Sequence, residues 1–83
     1  MAWYVYMVRC SDDSLYTGVT TDVERRVGEH NSILKGAKYT KARQPVELVY
    51  KKRKKNRSYA QKEEAQLKRL SRAGKLLLLE SKT

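Results

Sequence analysis

The chain has 83 residues, which is enough for one small domain and leaves no second domain to supply specificity. Hydrophobic residues make up 40% of it, but no apolar run approaches the roughly 20 residues of a membrane span. The single Cys10 excludes an internal disulfide and a zinc site built on thiolates, and the net charge of +10 indicates a polyanionic partner, usually nucleic acid.

The first predicted element is a β-hairpin. Residues 2–9 are β-branched and aromatic, residues 11–14 form a polar turn, and residues 15–19 predict a second strand. The chain begins with Met-Ala-Trp-Tyr, which lacks the charged start and the cleavage site of a signal peptide. A cytoplasmic location is therefore expected.

A helix over about residues 22–34 is predicted to follow the hairpin. Thr21 and Glu24 have the Thr-x-x-Glu spacing of a capping box, in which Thr21 caps the helix. Gly36 is expected to end the helix. Spacings of four and seven residues predict a buried face that consists of Val23, Val27 and Leu34.

A third strand is predicted in the second half of the chain, over residues 46–50 after Pro45. Residues 51–57 then contain six cations, and because like charges repel one another this segment is predicted to be an exposed loop.

A second long helix closes the predicted set of elements. Ser58 begins another capping-box pattern, and the helix is expected to run to about Ala73. Gly74 interrupts it, and residues 75–80 form a short helix or strand. The order β-β-α-β-α predicts an α+β fold, a small three-stranded, mostly antiparallel sheet flanked by helices.

The positive charge is concentrated in the second half of the chain. Residues 1–40 carry five basic and five acidic side chains, whereas residues 41–83 carry the remaining fourteen basic and four acidic ones. A lysine-rich surface kept for solubility is an alternative explanation. Peripheral membrane binding is disfavoured, because no predicted helix pairs a basic face with a broad apolar one.

Three tyrosines of the hairpin are candidates for a functional site. Side chains alternate along a strand, so Tyr4 and Tyr6 share one face, with Tyr16 near the same level on the partner strand. Gly18 leaves space where the chain turns into the helix, whose N-terminus attracts anions such as phosphate. Ordinary packing of tyrosines across a hairpin produces the same pattern, and the residue types alone do not decide between the two.

Two helical pairs carry further candidates. Arg26 and His30 lie four residues apart and share a helix face, where Arg can bind phosphate and His can carry a proton. Glu64 and Lys68 have the same spacing, which is also typical of an ion pair that only stabilises its helix. Helical periodicity does not choose between Glu63 and Glu64, although Glu63 lies nearer the centre of the apolar stripe.

In this order and spacing, the residues resemble the GIY-YIG nuclease superfamily over nearly the whole chain. Tyr4-Val5-Tyr6 corresponds to the first tripeptide of the family, and Tyr16-Thr17-Gly18 corresponds to the second. The helical Arg and His of the family fall on Arg26 and His30, and its metal-binding Glu falls on Glu64. The chain looks most similar to small bacterial proteins that consist of this domain alone.

Three positions depart from the pattern of the family. Tyr4 replaces a glycine, and Val5 and Thr17 each replace an isoleucine. None of these changes removes a reactive group, although Tyr4 would narrow the phosphate pocket.

The resemblance implies a metal-dependent endonuclease that hydrolyses phosphodiester bonds in DNA, in repair or recombination. In the scheme of the family, Glu64 holds one Mg²⁺ or Mn²⁺ ion and Arg26 binds the scissile phosphate. Tyr6 or Tyr16 orients or deprotonates the water, and both tyrosines remain open because family members differ. His30 is expected to support Arg26 or the tyrosines, with Lys68 beside Glu64.

Surface cations are expected to hold the flanking phosphates in a salt-dependent manner. The candidates are Lys35, Lys38, Lys41, Arg43, Lys51, Lys52, Arg53, Lys54, Lys55 and Arg57. Two other functions remain open from the sequence. One is a non-catalytic basic module that binds nucleic acid and is associated with RNA or the ribosome. The other is a subunit whose protein partner supplies specificity.

Overall fold

The structure, a computed structural model that describes residues 2–32 and 37–80, is built on a three-stranded antiparallel sheet. The central strand β1 (Trp3–Arg9) lies between β2 (Leu15–Thr20) and β3 (Glu47–Lys54). The α+β fold and the three-stranded sheet predicted from the sequence are confirmed. The helices are α1 (Val23–His30), α2 (Lys38–Lys41), α3 (Arg57–Arg69) and α4 (Arg72–Glu80).

Alternating side chains of β1 divide the sheet into two faces, each with its own core. We call the first the Tyr6 face, on which Tyr6 and Val8 pack with Cys10, Val23 and Val46. The opposite side is the Val5 face, on which the core consists of Val5, Met7, Tyr50 and Leu67. Because Leu67 belongs to α3, this helix covers the Val5 face and leaves the Tyr6 face to α1.

The helix caps differ from the two predicted capping boxes. Asp22 caps α1, and its Oδ1 accepts the N–H of Arg25 at 3.1 Å, so the prediction that Thr21 is the cap is wrong. A carboxylate is a strong acceptor and also complements the positive end of the helix dipole. Asn56, not Ser58, caps α3 and accepts the N–H of Tyr59 at 3.0 Å.

The cationic segment is not the loop that its charge predicted. β3 continues to Lys54, so most of the cations lie on a strand. Alternation sends successive side chains to opposite faces, which separates the like charges, and β3 is an edge strand that is open to solvent. Lysines on an edge strand also prevent pairing with another chain.

The last helices divide at a different place from the predicted one. α3 ends at Arg69 and Leu70 is extended, so the helix does not reach Ala73. Gly74 lies inside α4 and does not interrupt it, because the hydroxyl of Ser71 accepts the N–H of Gly74 at 3.1 Å and supports the first turn.

The end of α1 and the short helix α2 also differ from the prediction. α1 ends at His30, and the predicted Leu34 and Gly36 lie outside the described residues. The short helix α2 was not predicted. None of the helices in the part of the chain that the structure describes has the length and apolarity needed to cross a bilayer.

A buried hydroxyl provides a stability prediction. Thr17 on β2 is 3% exposed, and its Oγ1 has no hydrogen-bond partner among the described residues. An unsatisfied buried hydroxyl costs about 1–3 kcal/mol, and valine has the same shape without the polar group. We expect Thr17→Val to raise the free energy of unfolding by about 1 kcal/mol, measured by urea denaturation.

Thr20→Val is the matched control for this substitution. The Oγ1 of Thr20 accepts the N–H of Asp22 at 3.2 Å, so removing the hydroxyl should destabilise the protein. If Thr17→Val lowered the stability as much as Thr20→Val does, the hydroxyl of Thr17 would have a partner after all.

Candidate active site

A buried chain of hydrogen bonds links β1, α1 and α2. Tyr6 Oη lies 2.6 Å from His30 Nε2, and His30 Nδ1 lies 2.8 Å from Thr40 Oγ1. The exposed fraction of these side chains is 1% or less. Thr40 donates its own proton to the carbonyl of Ala37 at 3.0 Å, so its oxygen accepts from His30 Nδ1. His30 is therefore the Nδ1–H tautomer, and its Nε2 accepts the hydroxyl of Tyr6.

The burial of this chain sets the protonation states at neutral pH. Burial, followed by the positive charge of Arg26, lowers the pKa of His30 to about 4. Burial, followed by the nearby Tyr16, raises the pKa of Tyr6 to about 12. His30 is thus a neutral acceptor and Tyr6 a protonated donor in the resting protein.

Because His30 is the only histidine in the chain, NMR can test this protonation state directly. We expect the imidazole signals to titrate with a midpoint near 4 and the ¹⁵N shifts to indicate the Nδ1–H tautomer. Thr40→Val removes the acceptor and should reduce the population of that tautomer. A midpoint near 6.5, or the Nε2–H tautomer in the wild type, would contradict the assignment.

The depressed pKa of His30 also has a consequence for stability. The folded value of about 4 lies below the unfolded value of 6.5, so the unfolded chain binds the extra proton between these two values. The stabilisation from the neutral imidazole is present above pH 6.5 and is lost as the pH falls to about 4. Between these two limits the free energy of unfolding falls by about 3 kcal/mol.

Gly18 allows the Tyr6 hydroxyl to occupy its position. Gly18 is the register partner of Tyr6 in the β1–β2 pair. A Cβ at this position would lie 2.7 Å from Tyr6 Oη and 2.9 Å from Tyr6 Cζ, both closer than real contacts of this kind. A side chain at position 18 would therefore displace the phenol of Tyr6 from His30.

A stack of rings extends from His30 towards the surface. Tyr16 meets His30 edge-on at a ring distance of 5.1 Å, and Tyr39 stacks on Tyr16 at 5.8 Å. The guanidinium of Arg43 lies 4.0 Å from the ring of Tyr39, and its Nε donates to Asp12 Oδ2 at 3.0 Å. This stack restrains Tyr16 beside His30. Arg43 already has protein partners, so its predicted role in binding nucleic acid stays a prediction.

Arg26 lies on the His30 side of α1, as its spacing predicted. Arg26 Nη1 donates to Glu29 Oε1 at 2.9 Å. Burial opposes the charge of Arg26, but hydrogen bonds to Glu29 and Tyr6 raise the pKa of its guanidinium above the ordinary value. Arg26 is a permanent cation beside the hydroxyl of Tyr6.

The structure distinguishes the two glutamates between which periodicity could not choose. Glu63 Oε1 lies 3.0 Å from Lys54 Nζ, so Glu63 is directed towards β3. Glu64 Oε2 lies 3.3 Å from Lys68 Nζ, which forms the predicted i, i+4 pair. The negative charge of Glu64 contributes to raising the pKa of Tyr6, after burial and Tyr16. Glu64 therefore shares an electrostatic environment with Tyr6.

The side chains present are compatible with one hard divalent cation held jointly with a substrate. Among residues 2–32 and 37–80, no three His, Cys, Asp or Glu side chains converge to form a closed metal cage. Mg²⁺ is usually held by one or two carboxylates together with waters and substrate phosphates. The carboxylate of Glu64 fits this mode, because its side chain is 22% exposed and supplies oxygen ligands.

The predicted phosphate-binding cations do not form one uniform surface. Lys54 pairs with Glu63, and the guanidinium of Arg57 lies 5.4 Å from the ring of Trp3. Lys35 lies outside the described residues. Within the predicted set, the exposed cations are Lys38, Lys41, Lys51, Lys52, Arg53, Lys55 and Arg57.

Several residues that hold the site together were not found from the sequence. Asn31 Oδ1 accepts the N–H of Val46 at 2.7 Å, and Gln44 Nε2 donates to the carbonyl of His30 at 2.8 Å. These bonds tie the end of α1 to the entry of β3. Like Thr40 and Tyr39, the residues Asn31 and Gln44 lie outside any periodic apolar pattern, so no feature of the sequence identified them.

The comparison with known families decides the assignment. The GIY-YIG catalytic domain matches residues 2–76 of this chain. This chain belongs to the GIY-YIG family. The superfamily is one of nucleases, so membership supports nuclease chemistry and a nucleic-acid substrate in general terms.

Relatives of this GIY-YIG chain share about half of its residues. The UPF0213 protein of Syntrophus aciditrophicus is 53% identical, over 92% of this chain and 87% of that protein. The UPF0213 protein of Staphylococcus haemolyticus is 51% identical over 95% of both chains. Their names state no activity.

Solved structures share the same fold. The solution NMR structure of the UPF0213 protein BH0048 from Bacillus halodurans has 45% identity and a TM-score of 0.64, and the match covers 99% of this chain and 86% of that one. The protein EF2693 from E. faecalis has 41% identity and a TM-score of 0.65, over 98% and 85% of the two chains.

Proposed function

We propose that this protein is a divalent-metal-dependent endonuclease that hydrolyses phosphodiester bonds in DNA. The observation that carries the proposal is the buried bond from Tyr6 Oη to the neutral His30 Nε2, with Arg26 and Glu64 acting on the same hydroxyl. Hydrolysis needs an acceptor for the proton of the attacking water, and it needs a positive group at the phosphate. These side chains supply the proton acceptor and the positive group.

Tyr6 would act as the group that receives the proton of the water. Its own proton is directed at His30 and one lone pair of its oxygen accepts from Arg26, so one lone pair is left to accept from a water. As the water attacks, its proton passes to Tyr6 Oη and the proton of Tyr6 passes to His30 Nε2. The transfer through Tyr6 needs no free phenolate, which a pKa of about 12 would make rare at neutral pH.

Charge on the substrate would make His30 a better acceptor during this step. The positive charge of Arg26 contributes to lowering the pKa of His30 in the resting protein. A bound phosphate brings negative charge that offsets this effect and favours the imidazolium. Thr40 holds Nδ1–H, so Nε2 stays directed at Tyr6 throughout.

Arg26 would bind the scissile phosphate. Its guanidinium lies beside Tyr6, and charge accumulates on the phosphoryl oxygens as the water attacks. Glu29 holds the guanidinium at 2.9 Å and so fixes its direction.

Glu64 would hold the single Mg²⁺ or Mn²⁺ ion together with the phosphate. The ion, when bound, would neutralise charge on the phosphate and on the departing oxygen. Lys68 lies 3.3 Å from Glu64 and would hold the carboxylate in position in the absence of the ion.

Nicking of plasmid and branched DNA in Mg²⁺ or Mn²⁺ tests this proposal. Glu64→Gln should lower the cleavage rate by at least about 10²-fold, because it removes the carboxylate charge that holds the metal. Glu63→Gln is the matched control, since Glu63 is the neighbouring carboxylate that pairs with Lys54. EDTA should abolish cleavage by the wild type.

The principal alternative is a non-catalytic module that binds DNA, RNA or the ribosome. It is supported by the net charge of +10 and makes no use of Glu64. It predicts salt-dependent binding that ignores metal and survives Glu64→Gln. If the purified protein cleaves no DNA substrate, or if Glu64→Gln cleaves like Glu63→Gln, the endonuclease proposal fails. A protein partner that supplies specificity would be detected by co-purification.

A further inference from the structure

Strand register separates the cations of β3 into two sets. Lys51 is the register partner of Tyr6, and Arg53 is the partner of Tyr4. Partners in an antiparallel pair project to the same side, so Lys51 and Arg53 belong to the Tyr6 face. Both side chains are exposed.

The alternate cations of the same strand belong to the opposite face. Lys52 is the partner of Val5, and Lys54 is the partner of Trp3. The ion pair between Lys54 and Glu63 of α3, at 3.0 Å, agrees with this assignment because α3 covers the Val5 face. Four consecutive cations that look equivalent in the sequence therefore serve two different surfaces.

A cavity on the Tyr6 face is lined by Lys51 of the first set. It has a volume of about 200 Å³ and lies between Lys51, Tyr4 and the start of α1. Its α1 side carries Asp22 and Glu24, whereas its β3 side carries Lys51. The cavity thus has a positive side, a negative side and an aromatic wall.

This arrangement can orient a nucleic-acid strand. Phosphates are attracted to the β3 side and repelled by the carboxylates of α1. Alternate residues of a strand are about 6.6 Å apart, which is close to the separation of adjacent phosphates. A base that belongs to these phosphates would enter the cavity and stack on Tyr4. Its amino hydrogens would donate to the carboxylates of Asp22 and Glu24.

We propose that the substrate strand crosses the Tyr6 face with adjacent phosphates on Arg53 and Lys51 and one base in the cavity beside Tyr4. This proposal rests on the proposed function for its substrate, and it adds the position and the orientation of the strand. Lys52 and Lys54 take no part in it.

Binding of a single-stranded DNA oligonucleotide, measured by fluorescence anisotropy in EDTA, tests the path without cleavage. Lys51→Ala and Arg53→Ala should each weaken binding roughly 5- to 10-fold at low salt. Each should also reduce the magnitude of the negative slope of log K against log salt by about 0.7, the value for one phosphate of a single strand. Lys52→Ala is the same change on the Val5 face and should leave the slope unchanged.

A second comparison tests the proposed position of the base beside Tyr4. Tyr4→Leu should weaken binding of the normal oligonucleotide by about 5-fold or more, since stacking of one base contributes about 1–3 kcal/mol. The same variant should bind an abasic oligonucleotide of equal length as tightly as the wild type does. Equal losses with both oligonucleotides would overturn the base position.

If Lys52→Ala reduces the magnitude of the salt slope as much as Lys51→Ala does, the strand is not confined to the Tyr6 face and the proposal fails. Because the assay contains EDTA, its result is independent of nuclease activity. A protein that shows the predicted binding pattern but cleaves nothing would overturn the proposed endonuclease and leave the strand path intact.

Discussion

Tyr6→Phe is expected to lower the rate of metal-dependent DNA cleavage by about 10²–10⁴-fold, the range of a lost proton-transfer group. The substitution removes the oxygen that contacts His30 Nε2 and that would accept the proton of the water, and it leaves the ring in place. The measurement is the single-turnover rate of plasmid nicking at saturating protein. His30 Nε2 loses its donor, so the free energy of unfolding should also fall by about 1–3 kcal/mol.

Two further tyrosine variants test whether the loss of cleavage is specific to the hydroxyl of Tyr6. Tyr59→Phe removes a hydroxyl from a side chain that is 51% exposed and should cleave like the wild type. Tyr16→Phe leaves the bond between Tyr6 and His30 intact and should cost less than Tyr6→Phe. If Tyr16→Phe were inactive and Tyr6→Phe active, Tyr16 would be the group that receives the proton.

Arg26→Ala is expected to lower the cleavage rate by about 10²–10³-fold, as for the loss of one preorganised donor at a phosphate. Its neighbour Arg25 provides a matched control on the same helix, because the side chain of Arg25 is 61% exposed and also pairs with Glu29, at 3.6 Å. Glu29 therefore keeps a cationic partner in Arg26→Ala, and the fold should be retained.

The two arginine variants are compared by nicking rate and by thermal unfolding. Arg25→Ala should keep a rate within about 3-fold of the wild type, since surface substitutions away from a site have small effects. Equal rates for Arg25→Ala and Arg26→Ala would mean that neither guanidinium binds the scissile phosphate. Loss of folding in Arg26→Ala alone would instead assign Arg26 to stability.

Much of the fold could be predicted because it depends on local periodicity. The β-branched and aromatic residues 2–9 indicated the first strand, alternation indicated the faces of its side chains, and the three-stranded antiparallel sheet is confirmed. Errors occurred where two local signals competed. Thr21 and Asp22 are adjacent candidates for a cap, and the charge repulsion in residues 51–57 was outweighed by the hydrogen bonds that pair β3 with β1.

The candidate site could be predicted only in part. The order of Tyr6, Arg26, His30 and Glu64 along the chain was visible in the sequence, and it carried the resemblance to the family. The hydrogen bond of Tyr6 to His30 joins residues 24 apart, and that of His30 to Thr40 joins residues 10 apart. No helical or strand period connects such positions.

By itself the sequence determined the class of the fold, the family pattern and the uneven positive charge, because composition and short-range periodicity record these features directly. Only the tertiary structure decided that His30 accepts from Tyr6, that the charge of Glu64 and not that of Glu63 contributes to raising the pKa of Tyr6, and that Lys51 and Lys52 belong to opposite faces. The physical reason is that these relations depend on strand register and on the burial of groups distant in the chain, and neither exists until the sheet and the helices have packed together.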